Sequence, residues 1–331
     1  MPSTTLHLAT REATGADESQ SERRFAWRRT EIYEAENQRC ASSGGRRSSP
    51  ASMRRACQAG VMPSNAELAE IALTVARRAA AFALQRRQDG VEVAATKSSL
   101  ADIVTRADRE TETLIRDALA AARPRDAFYG EESGGAEGTS GLTWVVDPID
   151  GTVNYFYGIP AWAVSIAVVE GDPEPSTWRA LAGAVVNPVL KETFTASAGG
   201  GAQFNDAPLH VNEGVDLELA LVGTGFGYDA EVRRRQARFI DELIGDVRDI
   251  RRIGAASLDL CSVAAGRLDA YFERGLNPWD HAAGALIAEE AGARVAGIGG
   301  GPADRRLLVA AAPGLFDRLH PRADRFYADW E

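Results

Sequence analysis

WVVDPIDGTVN, residues 144–154, places two aspartates three positions apart at the end of an apolar run. Trp144, Val145 and Val146 have the bulk and β-branching of a buried strand, so they deliver Asp147 to a strand end. Pro148 fixes a turn, and the spacing turns Asp147 and Asp150 toward one side. Gly151 permits a tight approach and Thr152 is a capping residue, so the pair reads as the start of a helix. The free N–H groups of such a start bind an anion, favourably a phosphate. Carboxylates this close repel each other strongly in a partly dry site, which raises one pKa or demands a cation. Oxygen donors at this spacing, with the Ile149 carbonyl between them, suit Mg²⁺ better than Zn²⁺. On these residues alone a solvated turn is the simpler reading.

The chain has 331 residues, 45% hydrophobic and 25% charged, which is the composition of a soluble protein of one large or two ordinary domains. No run approaches the roughly 18 apolar residues of a membrane span. The N-terminus, MPSTTLHLATREATGADESQ, has no apolar core of signal-peptide type. Cys40, Cys57 and Cys261 are too dispersed for a disulfide framework or a thiolate zinc site, so the expected compartment is the reducing cytoplasm. A net charge of −10 argues against general nucleic-acid binding. The charge is uneven: residues 1–62 hold ten Arg against seven Asp or Glu, and the remainder carries −13. That leader lacks apolar periodicity and contains SSGGRRSSPAS at 42–52. It reads as a disordered extension, or as one never translated if the start is Met53 or Met62.

Folded patterning begins at Pro63. SNAE at 64–67 is a capping box that starts an amphipathic helix to about Arg87. A second helix runs from about Arg106 to Arg123, where Pro124 stops it. From Leu142 come strand-like runs, TWVVD, WAVSIAVVE, ALAGAVV and ETFTA. Residues 214–331 then alternate: LALVGTG, a helix near 230–244, VRDIRRI, a helix from about Ala256 to Ala265, DAYFER, a helix after Asp280, LLVAAA and a last helix. The expected division is an α+β half, 63–213, and an α/β half, 214–331.

Two further segments carry acidic residues where chemistry could use them. GEES at 130–133 puts adjacent glutamates at an apparent strand end, and NPWDHAAGALIAEEAG at 277–292 puts Asp280 at the front of a helix, as a candidate N-cap. GEES, DPIDGTVN and PWDHAAG, in this order, resemble the inositol monophosphatase family of Mg²⁺-dependent, lithium-sensitive phosphatases. The resemblance covers roughly residues 64–331, and the text is most similar to bacterial members of the SuhB type. It implies an α/β fold, a layered αβαβα sandwich of the inositol monophosphatase/fructose-1,6-bisphosphatase type, and a homodimer.

Carried over by position, the resemblance assigns a first metal to Glu131, Asp147 and the Ile149 carbonyl, and a second to Asp147, Asp150 and Asp280. A third, weaker Mg²⁺ near Glu131 is typical of the family. Thr152, oriented by Asp108 and assisted by Glu131, would help deprotonate a water that a cation has acidified. The metals and the Gly151 and Thr152 amides would hold the phosphate of a small-molecule phosphomonoester. KSSLADIVTRAD at 97–108 matches a family segment except for Leu100 in place of proline, and Lys97 stands either near the phosphate or as a mobile surface residue. Gly254, Ala255 and Ala256 match the strip lining the substrate sugar, and Glu273 the carboxylate that accepts inositol hydroxyls. Myo-inositol 1-phosphate is the expected substrate. Histidinol phosphate, whose ammonium would also welcome Glu273, is the alternative.

Other motifs point nowhere. GTGFG at 223–227 lacks the GxGxxG spacing of dinucleotide sites. His7, His210, His281 and His320 form no zinc pattern, His281 is expected to face outward, and RRR at 233–235 reads as a solvated helix face. A binding role at the transcription machinery is the competing class, and the arginine-rich leader or the RRR face would serve it.

Overall fold

The structure, a computed structural model, describes residues 62–91, 93–96 and 103–330. The leader reading and Lys97 lie outside the described residues. The first helix, α1 (Asn65–Asp89), begins at the capping box: Ser64 Oγ accepts from Glu67 N–H at 3.2 Å and the Glu67 carboxylate accepts from Ser64 N–H at 2.8 Å. A hairpin of β1 (Val93–Thr96) and β2 (Ile103–Thr105) leads into α2 (Arg106–Ala122). There follow β3 (Ala127–Gly130), β4 (Gly134–Ala136), β5 (Leu142–Asp150) and α3 (Thr152–Tyr157). An antiparallel meander continues with β6 (Ala163–Glu170), β7 (Arg179–Asn187), β8 (Glu192–Ser197), β9 (Gly201–Phe204) and β10 (Ala207–Pro208). The alternating part consists of β11 (Leu221–Thr224), α4 (Ala230–Leu243), β12 (Asp249–Arg251), α5 (Ala256–Ala264), β13 (Ala270–Glu273) and α6 (Pro278–Glu290). It closes with β14 (Arg294–Ala296), β15 (Leu308–Ala311) and α7 (Pro313–Tyr327).

The strands form two large sheets. The first has the order β10-β9-β8-β7-β6-β5-β3-β4, antiparallel except at β3–β5. The second has the order β12-β11-β13-β15-β14, with β11 parallel to both its neighbours and the other pairs antiparallel. Period-two alternation gives each sheet two apolar faces. Val146, Val164, Ile166 and Val168 face Leu68, Ala72 and Ala76 of α1 and Ile115 of α2. Val145 and Val185 face the opposite way, toward Leu260 of α5 and Ile287 of α6, and Tyr271, Leu308 and Ala310 close on that layer from the second sheet. Phe272 and Val309, one residue out of phase, pack under Phe239 of α4 and Leu315 and Phe316 of α7. The layers are therefore helix, sheet, helix, sheet, helix, as the α/β sandwich expectation required. Pro63–Glu331 clusters as one compact unit. Among the described residues no helix is long and apolar enough to cross a membrane.

The central helix layer approaches the first sheet most closely where small residues meet. A Cβ built on Gly183 of β7 would stand 3.0 Å from Ala283 Cα in α6, so this helix lies against the sheet at backbone contact. Since α6 carries Asp280, that contact also sets where the carboxylate stands. Gly183→Val is expected to cost about 1–3 kcal/mol through overpacking. A thermal denaturation scan should show the melting temperature lowered by roughly 2–4 °C for each kcal/mol. An unshifted transition would mean that α6 packs elsewhere.

Candidate active site

In a regular strand, residues three apart face opposite sides. β5 escapes this because its register against β6 slips: Asp147 pairs with Ser165 and Asp150 with Ala163, three steps against two. Such a bulge re-aims side chains, and Pro148, which has no N–H to lose, sits inside it. Ile149 N–H donates to Asp147 Oδ1 at 3.0 Å, and Ser257 donates to Asp150 Oδ2 from its N–H, at 2.8 Å, and from its hydroxyl. Gly151, at φ 89°, is the N-cap of α3, with Thr152 as the first helical residue. A Cβ on Gly151 would stand 3.0 Å from Ala161 O and 3.2 Å from Gly254 O, so only glycine makes this turn. The cap is thus backbone geometry, and the Thr152 hydroxyl is left for another task. It lies 3.1 Å from both Asp108 Oδ1 and the Ile149 carbonyl oxygen, as donor to either. Asp108 is fixed in turn by Thr105, whose N–H donates to Oδ2 at 2.9 Å and whose hydroxyl donates to the same oxygen.

Two more carboxylates approach Asp147 and Asp150. Glu131 follows β3, its N–H donating to Val146 O at 3.2 Å. Asp280 comes from α6, where the expected N-cap assignment needs correction. Pro278 takes the first helical position, for which its fixed φ and missing N–H suit it. The cap therefore falls on Asn277, and Asp280 is the third helical residue, accepting from Asn277 N–H at 2.6 Å. Burial and the charges of Glu131, Asp150 and Asp280 hold the Asp147 carboxyl well above the usual range, and it shares a hydrogen bond with Glu131. Burial, then Glu131 and Asp150, raise Asp280 likewise. Burial lifts Asp150 to about 6, opposed by the Ser257 donors and by Arg252. Among the described residues no three His, Cys, Asp or Glu side chains stand as close as ligands around one ion. The donors are all oxygen, four carboxylates and the Ile149 carbonyl. That set fits a hard divalent cation and lacks the nitrogen or sulfur that zinc favours.

Glu273 ends β13 nearby, and Tyr271 Oη donates to its Oε2. Burial raises its pKa to about 7 against the lowering effects of Tyr271 and Arg252. A Cβ on Gly225 would fall 1.9 Å from Glu273 Oε2, which explains the glycine in GTGFG: it makes room for this carboxylate. Gly254–Ala256 lie alongside. Asn154 of α3 ties that strip down, its Nδ2 donating to Ala161 O at 2.7 Å and to Ile253 O at 3.0 Å. The motif reading assigns no role to Ser257, Asn154 or Asp259. Asp259 accepts from Gly254 N–H, while burial, Glu273 and Asp150 raise its pKa. Its signal was present, since an aspartate inside the apolar run ASLDLCSVA needs a partner. His281 does not face outward: it is 3% exposed, held neutral by burial at a pKa of about 4, and its ring centroid lies 5.8 Å from that of Trp178.

The end of the large sheet thus gathers carboxylates from three layers beside an aspartate-held hydroxyl. The profile of the inositol monophosphatase family matches residues 64–325, and the chain belongs to that family. It is 48% identical over 265 residues to the inositol-1-monophosphatase SuhB of Mycobacterium tuberculosis, covering 76% of this chain and 88% of that protein. The solved structure of M. tuberculosis SuhB superposes with a TM-score of 0.67 at 45% identity, covering 80% of this chain and 98% of that one. The SuhB structure from Bartonella henselae gives 0.71 at 33% identity, covering 80% and 100%. The Nus factor SuhB of Pasteurella multocida is 41% identical over 257 residues, 75% of this chain and 92% of that protein.

A carboxyl whose pKa is higher in the folded state stabilises the fold below its unfolded pKa and loses that contribution as pH rises through the folded one. Asp108 and Asp150 stand at about 6, and Asp147 and Asp280 are raised too. In chelator, the melting temperature is expected to fall as pH rises from about 4 to about 7. Asp147→Asn should flatten that fall and melt above the unmutated protein at neutral pH. Parallel melting curves for the two would show that these carboxylates do not share a field.

Proposed function

We propose that the chain hydrolyses myo-inositol 1-phosphate to inositol and phosphate, with two to three Mg²⁺ ions held by the carboxylates at the end of β5. The observation that carries this reading is the convergence of Glu131, Asp147, Asp150 and Asp280 beside the Thr152–Asp108 pair. One ion would take Glu131, Asp147 and the Ile149 carbonyl, another Asp147, Asp150 and Asp280, with a third near Glu131. Such ions supply charge neutralisation and an acidified water. Thr152 gives its proton to Asp108 or to the Ile149 carbonyl, so its oxygen lone pairs face outward to accept from a water. Asp108, with a pKa of about 6, is ionised at neutral pH and keeps the hydroxyl in that sense. The Gly151 and Thr152 amides hold the phosphate. Glu273, with a pKa of about 7, both accepts from and donates to vicinal hydroxyls near neutral pH. That suits a polyol, and Gly254, Ala255 and Ala256 line the ring beside it.

The chain works as a homodimer in a reducing cytoplasm on this reading. Tyr157, Ile159, Val189 and Leu190 are exposed apolar side chains on two turns tied together by Asn187 Nδ2, which donates to Pro160 O at 2.9 Å. That patch supplies a dimer face.

Phosphate release from myo-inositol 1-phosphate, histidinol phosphate, fructose 1,6-bisphosphate and 3′-phosphoadenosine 5′-phosphate, with and without Mg²⁺, tests the substrate. Mg²⁺-dependent preference for the inositol ester is expected. Glu273→Ala should raise its KM about 10-fold or more, in line with a lost charged hydrogen bond. Preference for histidinol phosphate would sink the substrate assignment and leave the metal site standing.

A second reading rests on the relative in Pasteurella multocida that carries the name Nus factor SuhB. A binding role there would not need turnover. Asp147→Asn should abolish phosphate release yet leave capture of the transcription machinery unchanged; loss of both would tie binding to the metal site.

A further inference from the structure

The helix that positions Thr152 carries a second buried carboxylate that the proposed chemistry leaves unused. Asp108 and Glu112 lie one turn apart on α2, 1% and 2% exposed. Residues four apart share a helix face, so both look toward the end of β5. Asp108 holds the threonine. Glu112 holds the turn after β3: Oε2 accepts from Glu132 N–H at 2.7 Å and Oε1 from the Ser133 hydroxyl. Arg116, four residues further on, places Nη2 3.5 Å from Oε1 and offsets part of its charge. The sequence makes space for this arrangement, because a Cβ on Gly130 would stand 2.4 Å from Glu112 Oε2.

Glu131 is bracketed as a result. Its own N–H is bonded to Val146 O, the next N–H is bonded to Glu112, and the residue before it is pressed against the same carboxylate. Its side chain reaches Asp147, with which it shares a hydrogen bond. A buried carboxylate is costly to keep, and a leucine would fill the same space without that cost. Charge-assisted bonds to one short turn are what the glutamate provides and an apolar residue cannot.

We propose that Glu112 is a positioning residue for the cation site: by clamping residues 130–133 it aims Glu131 and so sets the affinity of the carboxylate group for a divalent cation. The two carboxylates of α2 then divide the work, Asp108 serving the hydroxyl and Glu112 the ligand turn. The inference rests on the metal reading above.

Calorimetric titration of the purified full chain with Mg²⁺ tests it, alongside kinetics at saturating Mg²⁺. Glu112→Ala is expected to weaken Mg²⁺ binding by about 10- to 100-fold, the usual cost of losing the group that orients a ligand. Its kcat at saturating Mg²⁺ should fall by less than that. Glu112→Gln should recover most of the affinity, since its amide oxygen still accepts from Glu132 N–H and its NH₂ can donate to the Ser133 oxygen. Unmutated protein that takes up no Mg²⁺ overturns the metal reading and this one with it. Unmutated affinity in Glu112→Ala overturns the positioning role alone, as does a lowered melting temperature without a change in Mg²⁺ affinity. Should Glu112→Ala fail to fold, Ser133→Ala removes one of the two bonds, and full Mg²⁺ affinity in that variant counts against the proposal equally.

Discussion

Repulsion between carboxylates is the constraint around which the end of β5 is organised. On top of burial, Glu131, Asp150 and Asp280 raise the pKa of Asp147, and Glu131 and Asp150 that of Asp280. Left alone, such a group would swing apart or take up protons. Here each member is pinned by a backbone group. Ile149 N–H holds Asp147, Ser257 N–H holds Asp150, Asn277 N–H holds Asp280, and the Glu131 main chain is tied to Val146. These bonds cost the fold nothing in new polar burial, because the amides belong to helix starts and turns that need acceptors anyway. The arrangement thus holds mutually repelling acids together in a rigid frame, and their raised pKa values record the strain.

The layers exist to bring these pieces to one place. The first sheet brings the ends of β3 and β5, the central helix layer brings Ser257 and Asp280, and the second sheet brings Glu273. That central layer is apolar toward both sheets, and small residues at Gly183 and Ala283 let it lie close against the first. Asp259 and Asp280 fall in the first turns of its two helices, where the macrodipole favours them.

Much of this was legible in the sequence, and the reason is distance along the chain. Asp147, Asp150, Gly151 and Thr152 fall within one short text, and the bulge that unites the two aspartates leaves its mark in Pro148. The helices and most strands announced themselves through periodicity. What stayed hidden depends on partners far away. Nothing near Ser257 says that it will meet Asp150, 107 residues earlier, and nothing near Gly225 says that Glu273 will need its space. His281 shows the same limit, because an amphipathic reading presumes one wet face and α6 has sheets on both sides. Asp280 was placed at the right end of its helix but in the wrong position, since proline's preference for the first turn outweighs the pull of an aspartate toward the cap.

The separation of the four acids along the chain has a consequence for how the protein comes into being. Glu131, Asp147 and Asp150 are translated early and lie in the first sheet, whereas Asp280 arrives only with the helix layer that the second sheet must sandwich. No short segment holds more than a fragment of the set. Contacts so distant in sequence form late, after the loops between them have been closed at an entropic cost. The first sheet by itself assembles Glu131, Asp147 and Asp150, and the full group comes together only with the helix layer that carries Asp280. The complete group of four is thus a property of the assembled layers and of no single segment.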